Sequence, residues 1–185
     1  MIPPRDAAMD LLRRLLAGER GEVPMQLALV LEKSSALHNS DDHYRQALPP
    51  ELADLWLSAE DAEQIVAMLC AEVSRDPDGA LILALSFSGA EQAIKVVSKM
   101  LTEPPRPLTA VEYRHAMPVM SAFLPSYLTK DPGFLPEVEL NRLIQLAKNL
   151  KNVELEATDK AAQIKIRLHA SQLLERLGQL GIEGV

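Results

Sequence analysis

Cysteine and aromatic residues are scarce in this chain of 185 residues. The single cysteine, Cys70, excludes an internal disulfide and every zinc or iron–sulfur site that needs several cysteines. It falls on the apolar side of a predicted helix, so we interpret it as a buried structural thiol. Aromatic residues make up only 4% of the chain. Leucine and alanine are common instead, and because both lose little entropy on entering a helix, the composition favours helices.

Basic residues are also in the minority. The chain has 19 Lys and Arg against 26 Asp and Glu, which gives a formal charge of −7 at pH 7. This balance argues against nucleic acid as the main partner, because a negative surface is repelled by phosphates, although a local basic patch remains compatible with it. No apolar run approaches the roughly 18 residues typical of a membrane span. We therefore expect no membrane association and a cytoplasmic location.

The stretch 78–103 is the part of the sequence that the rest of the chain must cover. Its first half is apolar on every side, and its second half is apolar along one stripe. We predict a core hairpin of two helices, with Asp78 as the cap of the first. Ser88 and Glu91 match a capping box for the second helix.

The apolar run 81–87 has an alternative interpretation as a buried strand, because periodicity does not separate a short buried strand from a buried helix. Followed by the Ser-Gly-Ala-Glu sequence of residues 88–91 and a helix, it would resemble the strand–turn–helix phosphate-binding unit of sugar isomerase domains. Such a fold needs several parallel strands that alternate with helices. The other strand-like segments are too few and too poor, so we favour the helix.

Amphipathic helical spacing recurs through most of the remaining chain. It predicts helices over 4–17, 24–37, 59–75, 109–130, 137–151 and 158–180. With the central hairpin, the chain is therefore predicted to be all-α, with seven or eight helices in an irregular bundle or in an array that resembles HEAT-type helical repeats. We expect one domain over residues 1–185, and the proline-rich break at 103–108 is the place where it would divide.

Two further pairs of residues match helix-capping patterns, and two prolines interrupt a predicted helix. Ser58 with Asp61 and Thr109 with Glu112 each place a hydroxyl three residues before an acid. Within 109–130, Pro118 and Pro125 are expected to bend or divide the helix.

Residues 38–50 break the helical pattern, and we predict a surface loop there. This segment holds the densest group of metal-capable side chains in the sequence: His38, Asp41, Asp42 and His43. Imidazole and carboxylate are zinc ligands, but no structural or catalytic motif has this spacing. The Glu112–His115 pair has the Glu-x-x-His spacing of di-iron bundles, which need a second such pair. We therefore predict no metal and no cofactor.

Candidate binding residues come from the tryptophan and from the helix over 109–130. Trp56 is interpreted as packing beneath a turn or, alternatively, as an exposed anchor for a partner. The helix 109–130 concentrates aromatic residues and methionines, which suit an adaptable groove and also suit a core. The candidates on this helix are Tyr113, His115, Met117, Met120 and Tyr127.

Two classes of function fit the sequence. The first is a non-catalytic scaffold or adaptor domain that presents a helical surface to another protein. The second is a small-ligand sensor or enzyme that uses the bent helix 109–130, with Tyr113 and His115 as its acid–base groups. No phosphate-binding loop, glycine-rich dinucleotide turn or Ser-His-Asp order is present, so we favour the first class and assign no catalytic residue.

Overall fold

The computed structural model describes residues 3–35 and 41–185, and for residues 41–43 it describes only the backbone. Within these ranges the chain forms ten α-helices, one 3-10 turn (Ala157–Asp159) and no strand. The all-α prediction is confirmed. The helices are α1 (Pro4–Leu16), α2 (Val23–Lys33), α3 (Asp41–Ala47), α4 (Pro50–Ala53), α5 (Ala59–Arg75), α6 (Gly79–Leu85), α7 (Glu91–Thr102), α8 (Ala110–Lys130), α9 (Glu137–Leu150) and α10 (Lys160–Gln179).

The stretch 78–103 forms α6 and α7, so the alternative of a strand over 81–87 is wrong. The two helices do not pair as the expected hairpin, because α6 packs mainly on α2, α5 and α8, while α7 packs mainly on α5, α8 and α9. Asp78 caps α6, since its Oδ1 accepts a hydrogen bond from the backbone N–H of Ala80 at 2.8 Å. The capping box expected at Ser88 does not form. Gly89 has a φ of 60°, and this turn makes Ala90 the N-cap of α7, where no side chain caps the helix.

The other two caps form as expected. Ser58 Oγ accepts a hydrogen bond from Asp61 N–H at 3.1 Å at the start of α5. Thr109 and Glu112 form a complete capping box at the start of α8. In both helices the capping residues bond to free N–H groups of the same first turn. Such caps depend on nearby residues alone.

Residues 41–47 correct the expectation of a surface loop over 38–50. They form α3, and Tyr44 is fully buried, with Leu48 buried one turn later. Tyr44 and Leu48 lie four residues apart and thus share one helical face, although seven residues are too few to show a clear period. Residues 36–40 lie outside the described part of the chain.

The helices pack side by side in two rows, and most contacts within a row join helices that are adjacent in space. α1 packs on α2, α2 on α6, α6 on α8 and α8 on α10, while α5, α7 and α9 pack in the same succession beside them. One cluster of buried apolar side chains extends through this series from Ala8 to Leu177. One end of the series is therefore formed by the first four helices, α1 to α4, and the other end by the last two, α9 and α10.

Helices α8 and α10 run in the same direction. The charge of Lys165, in the first half of α10, acts on His115, in the first half of α8. Further along both helices, Ser121 Oγ lies 3.1 Å from His169 Nδ1. α9 is the return crossing between them, and α8 continues through Pro118 and Pro125 without being divided.

Candidate binding surfaces

The four metal candidates, His38, Asp41, Asp42 and His43, have no described side chains. His38 lies outside the described residues, and for Asp41, Asp42 and His43 only the helical backbone of α3 is described. Among the described side chains, no group of three or more His, Cys, Asp or Glu residues could hold a metal ion. The hypothesis of a site at His38–His43 therefore stays untested.

Trp56 is exposed, with 46% of its surface accessible, whereas packing beneath a turn was the first expectation. Its neighbours Leu55 and Leu57 are both buried, so this non-helical segment turns the middle side chain outward. The Trp56 ring covers the ammonium group of Lys33, with Nζ 4.3 Å from the ring centroid. One face of the tryptophan is thus already in contact with the chain itself.

Lys33 is a buried lysine that no sequence motif indicated as buried or as a binding residue. Only 2% of its surface is accessible, and its Nζ donates a hydrogen bond to the carbonyl of Ala53. The ring centroid of Tyr44 lies 6.0 Å from the same ammonium group. Lys33 therefore joins α2 to α4 and to Trp56 through one buried cation, as expected of a charge that is tolerated inside a protein only with partners.

Met117 and Met120 are fully buried, and the tyrosines of α8 are half-buried. The hydroxyl of Tyr127 donates a hydrogen bond to the carbonyl of Gly89 at 2.7 Å. The Tyr127 ring also stacks on Phe134, with 4.6 Å between centroids. Met117 and Met120 thus serve as core, and Tyr127 holds the turn between α6 and α7. Burial raises the pKa of both Tyr113 and Tyr127.

Glu112 is engaged within the chain and is not paired with His115. One carboxylate oxygen accepts the Thr109 N–H at 2.7 Å. Arg106 donates to both carboxylate oxygens, at 2.7 and 3.1 Å, and also donates to the carbonyl of Pro77. The Glu112 carboxylate raises the pKa of Arg106. Arg106 thereby fixes the proline-rich connection to the start of α8.

Ser121 and His169 form a contact that motif analysis missed, because 48 positions separate them. Their Oγ and Nδ1 atoms lie 3.1 Å apart, within the range of a nucleophile and its base. Ser121 is buried, however, and its hydroxyl donates to the carbonyl of Pro118 at 3.2 Å. Cys70 is equally inaccessible, and burial raises the pKa of its thiol to about 12.

Several grooves cross the surface of the described chain. One of about 500 Å³ lies between α5 and α7, and its rim charges are paired as Glu91 with Lys95 and as Lys99 with Glu103. A second, of about 510 Å³, lies between α7 and α9. Two others, of about 480 and 620 Å³, flank α1 and α4. None of these four grooves is lined by Tyr113, His115, Ser121 or His169.

A group of basic side chains lies on and beside the boundary between α8 and α10, with the His115 ring also next to Gly79 at the start of α6. This basic seam consists of Arg114, His115, Lys165, His169 and Arg176. Lys165, His169 and Arg176 share one face of α10, because they are four and seven residues apart. Arg176 Nη1 donates to the carbonyl of Ser121 on α8 at 2.5 Å, which ties this face to α8.

The basic seam holds little negative charge. Burial lowers the pKa of His115, and the charges of Arg114 and Lys165 lower it further. Burial also lowers the pKa of His169, with a hydrogen bond to Gln172 acting in the opposite direction. Arg114 Nε is buried without a hydrogen-bond partner among the described residues. The two histidines are therefore uncharged at pH 7 and offer N–H donors, and the positive charge of the seam comes from Arg114, Lys165 and Arg176.

Beside the basic seam, α10 presents a row of solvent-exposed residues. This outer stripe consists of Ala161, Ile164, Leu168, Ser171 and Glu175, and all five are exposed. Ile164 is 68% accessible and Leu168 is 49% accessible. The buried apolar face of α10 is a different one, with Ile166, Ala170 and Leu173 in the core.

Comparisons with known proteins place no relative beside this chain. No protein-family model matches it, and searches of curated proteins and of solved structures find no match either. The basic seam and the outer stripe are thus interpreted from their own chemistry.

The sequence candidates do not assemble into one site. Trp56 contacts Lys33 near α2, whereas Tyr127 bonds to the turn before α7, and Met117 and Met120 lie in the core. Only His115 belongs to the basic seam. No described helix has both the length and the apolar character needed to cross a membrane.

Proposed function

We propose that this chain is a non-catalytic scaffold or adaptor domain that presents a helical surface to another protein. The observation that carries the proposal is the exposure of Ile164 and Leu168 on successive turns of α10. Single exposed apolar residues are ordinary on any protein. Two large ones on a single helical face are what a partner helix or loop would cover.

The same proposal includes a cytoplasmic location and excludes nucleic acid as the main partner. The formal charge of −7 opposes a phosphate backbone. With one cysteine, which is buried, the chain has no internal disulfide that an oxidising compartment would have to maintain. A reducing compartment such as the cytoplasm suits such a chain.

The alternative is a small-ligand sensor or enzyme that uses residues 109–130. Its support is the lowered pKa of His115 and the contact between Ser121 and His169. It is weakened because Glu112 is held by Arg106 and Thr109, and because Ser121 is buried. The interaction proposal needs no rearrangement of these groups.

The test is affinity capture from an extract of the native host, followed by reconstitution of the complex from purified proteins. A helical protein of similar negative charge serves as the control bait. We expect one or two proteins to be retained by this chain alone and to form a binary complex with it in sedimentation velocity. Retention of the same proteins by both baits would overturn the proposal, as would failure of the retained proteins to bind the purified chain.

A further inference from the structure

Positive charge is concentrated on α8 and α10. Together these two helices carry six lysines and arginines against two glutamates, Glu112 and Glu175. Residues 1–78, by contrast, carry 15 acidic and seven basic residues. Glu112 is already bound by Arg106, so Glu175 is the one acidic side chain on α8 or α10 that faces solvent. A protein that is acidic as a whole therefore carries an excess of positive charge on these two helices, and the basic seam holds part of it.

Some of the basic groups on α8 and α10 have no carboxylate partner among the described residues. Salt bridges between described residues engage eleven of the 19 lysines and arginines, among them Lys160 and Arg167 of α10, which both pair with Glu154. Arg114 and Lys165 form no salt bridge within the described residues. Carboxylates from a partner would supply the charge and the hydrogen-bond acceptors that this seam lacks.

The shape of the surface points to an extended partner. The basic seam follows three turns of α10, from Lys165 to Arg176, and none of the grooves described above is lined by its residues. A small anion needs convergent donors in a concavity. A helix or an extended segment can instead place successive carboxylates along a row of basic side chains.

The apolar side chains beside the seam distinguish a protein from a nucleic acid. Ile164 and Leu168 each precede a seam residue, Lys165 and His169, so the two rows are adjacent on α10. A phosphate backbone would contact the basic row and leave the apolar row exposed to water. A protein segment with both acidic and apolar residues covers both rows.

We propose that the basic seam and the outer stripe form one docking face for an acidic amphipathic segment of a partner protein. The partner's carboxylates lie along Arg114, Lys165 and His169, and its apolar side chains cover Ile164 and Leu168. This inference rests on the proposed function and specifies the partner's chemistry and the face that it uses.

The first test uses a synthetic helical peptide of 20 residues, with leucines at positions i and i+4 flanked by glutamates. Its binding to the full chain is measured by fluorescence anisotropy and mapped by NMR chemical-shift changes. We expect saturable binding that weakens at least tenfold at high salt, with shifts confined to α8 and α10. Lys165→Glu and Ile164→Glu should each weaken binding at least tenfold.

Matched controls separate this face from general charge effects. Lys151→Glu makes the same charge change at the end of α9, and Val138→Glu places an acid at a site on α9 that is 63% exposed. Both controls should bind the peptide as the wild type does. Absence of binding, or equal weakening by the control substitutions, would overturn the docking face.

Two further outcomes would assign the face to another occupant and overturn the inference as stated. One is tighter binding of single-stranded RNA than of the peptide, with loss in Lys165→Glu. The other is self-association of the chain that Ile164→Glu abolishes. Capture of a specific protein that Ile164→Glu and Lys165→Glu leave unchanged would overturn the docking face and leave the scaffold function standing. If the wild-type chain captures no specific protein, the proposed scaffold function is overturned as well.

Discussion

Arg176 donates a hydrogen bond to the carbonyl of Ser121 that Pro125 leaves without its helical donor. In a regular helix the N–H of residue 125 would bond to the carbonyl of residue 121, but proline has no N–H. The guanidinium of Arg176 on α10 replaces that donor at 2.5 Å. The proline in α8 is thus compensated from a neighbouring helix, and the two helices are linked at this point.

Replacement of Arg176 by methionine should lower the free energy of unfolding by about 1 kcal/mol, the typical net value of one hydrogen bond. In a Pro125→Ala background the same replacement should cost much less, because the alanine N–H can reach the Ser121 carbonyl. Urea unfolding of the four proteins gives the coupling energy. Additive effects of the two substitutions would show that the bond does not compensate the proline.

Gly79 sits where α6 approaches α8 closely. A Cβ added at Gly79 would lie 2.7 Å from Cγ1 of Val111. We expect Gly79→Ala to destabilise the fold by about 0.5–1.5 kcal/mol, because the half-exposed Val111 side chain must leave its preferred rotamer to make room. In a Val111→Ala background the sign should reverse, with a gain of about 0.4–1 kcal/mol from the less flexible unfolded chain. Thermal unfolding of the single and double variants measures both effects, and equal changes in the two backgrounds would contradict the close contact.

Lys33→Met should destabilise the fold by about 1–3 kcal/mol, since it removes the donor to the Ala53 carbonyl while preserving most of the volume. Trp56 is the only tryptophan, so its emission should also shift when the ammonium group beneath its ring is lost. Lys151→Met at an exposed site is the control for loss of charge. Unchanged stability and emission in Lys33→Met would refute the buried contact.

Stability should fall as the pH is lowered from 7 towards 5. Burial lowers the pKa of His115 and of His169 below the 6.5 of an ordinary histidine. Between that value and the folded pKa, the unfolded chain binds more protons than the folded one, so protonation favours unfolding. The free energy of unfolding measured by urea titration at several pH values should decrease across this range.

A His115→Gln, His169→Gln double variant identifies the source of that pH dependence. It should show a flatter curve between pH 7 and 5 than the wild type. The carboxylates whose pKa values are lowered by basic partners, Glu19, Glu103 and Glu154, act in a different range. Their stabilisation is present above pH 4.5 and is lost only below it. An unchanged slope in the double variant would mean that other groups carry it.

The parts of the fold that were predictable depend on local signals. Asp78, Ser58 and Thr109 cap the helices that follow them, because each cap is completed within three residues. The helix over 59–75 has the predicted bounds. α3 was missed, since its buried face is only Tyr44 followed by Leu48, and two positions do not define a period.

The candidate surface was less predictable, because it depends on the direction of α10. Arg114 and His115 are about 50 residues from Lys165 in sequence, and only the parallel pairing of α8 with α10 brings them together. Trp56 was ambiguous for a related reason. Its outward position follows from buried leucines on both sides, and its contact with Lys33 joins residues 23 positions apart.

The parallel pairing of α8 and α10 also has a consequence during protein synthesis. α8 begins 50 residues before α10, which corresponds to a delay of about 3–10 s at ordinary translation rates. Throughout that interval the side of α8 that α10 covers is open, and the Ser121 carbonyl lacks its Arg176 donor. A nascent or truncated chain that stops before Lys160 thus exposes an apolar helical surface to chaperones and proteases, and translation through α10 removes it.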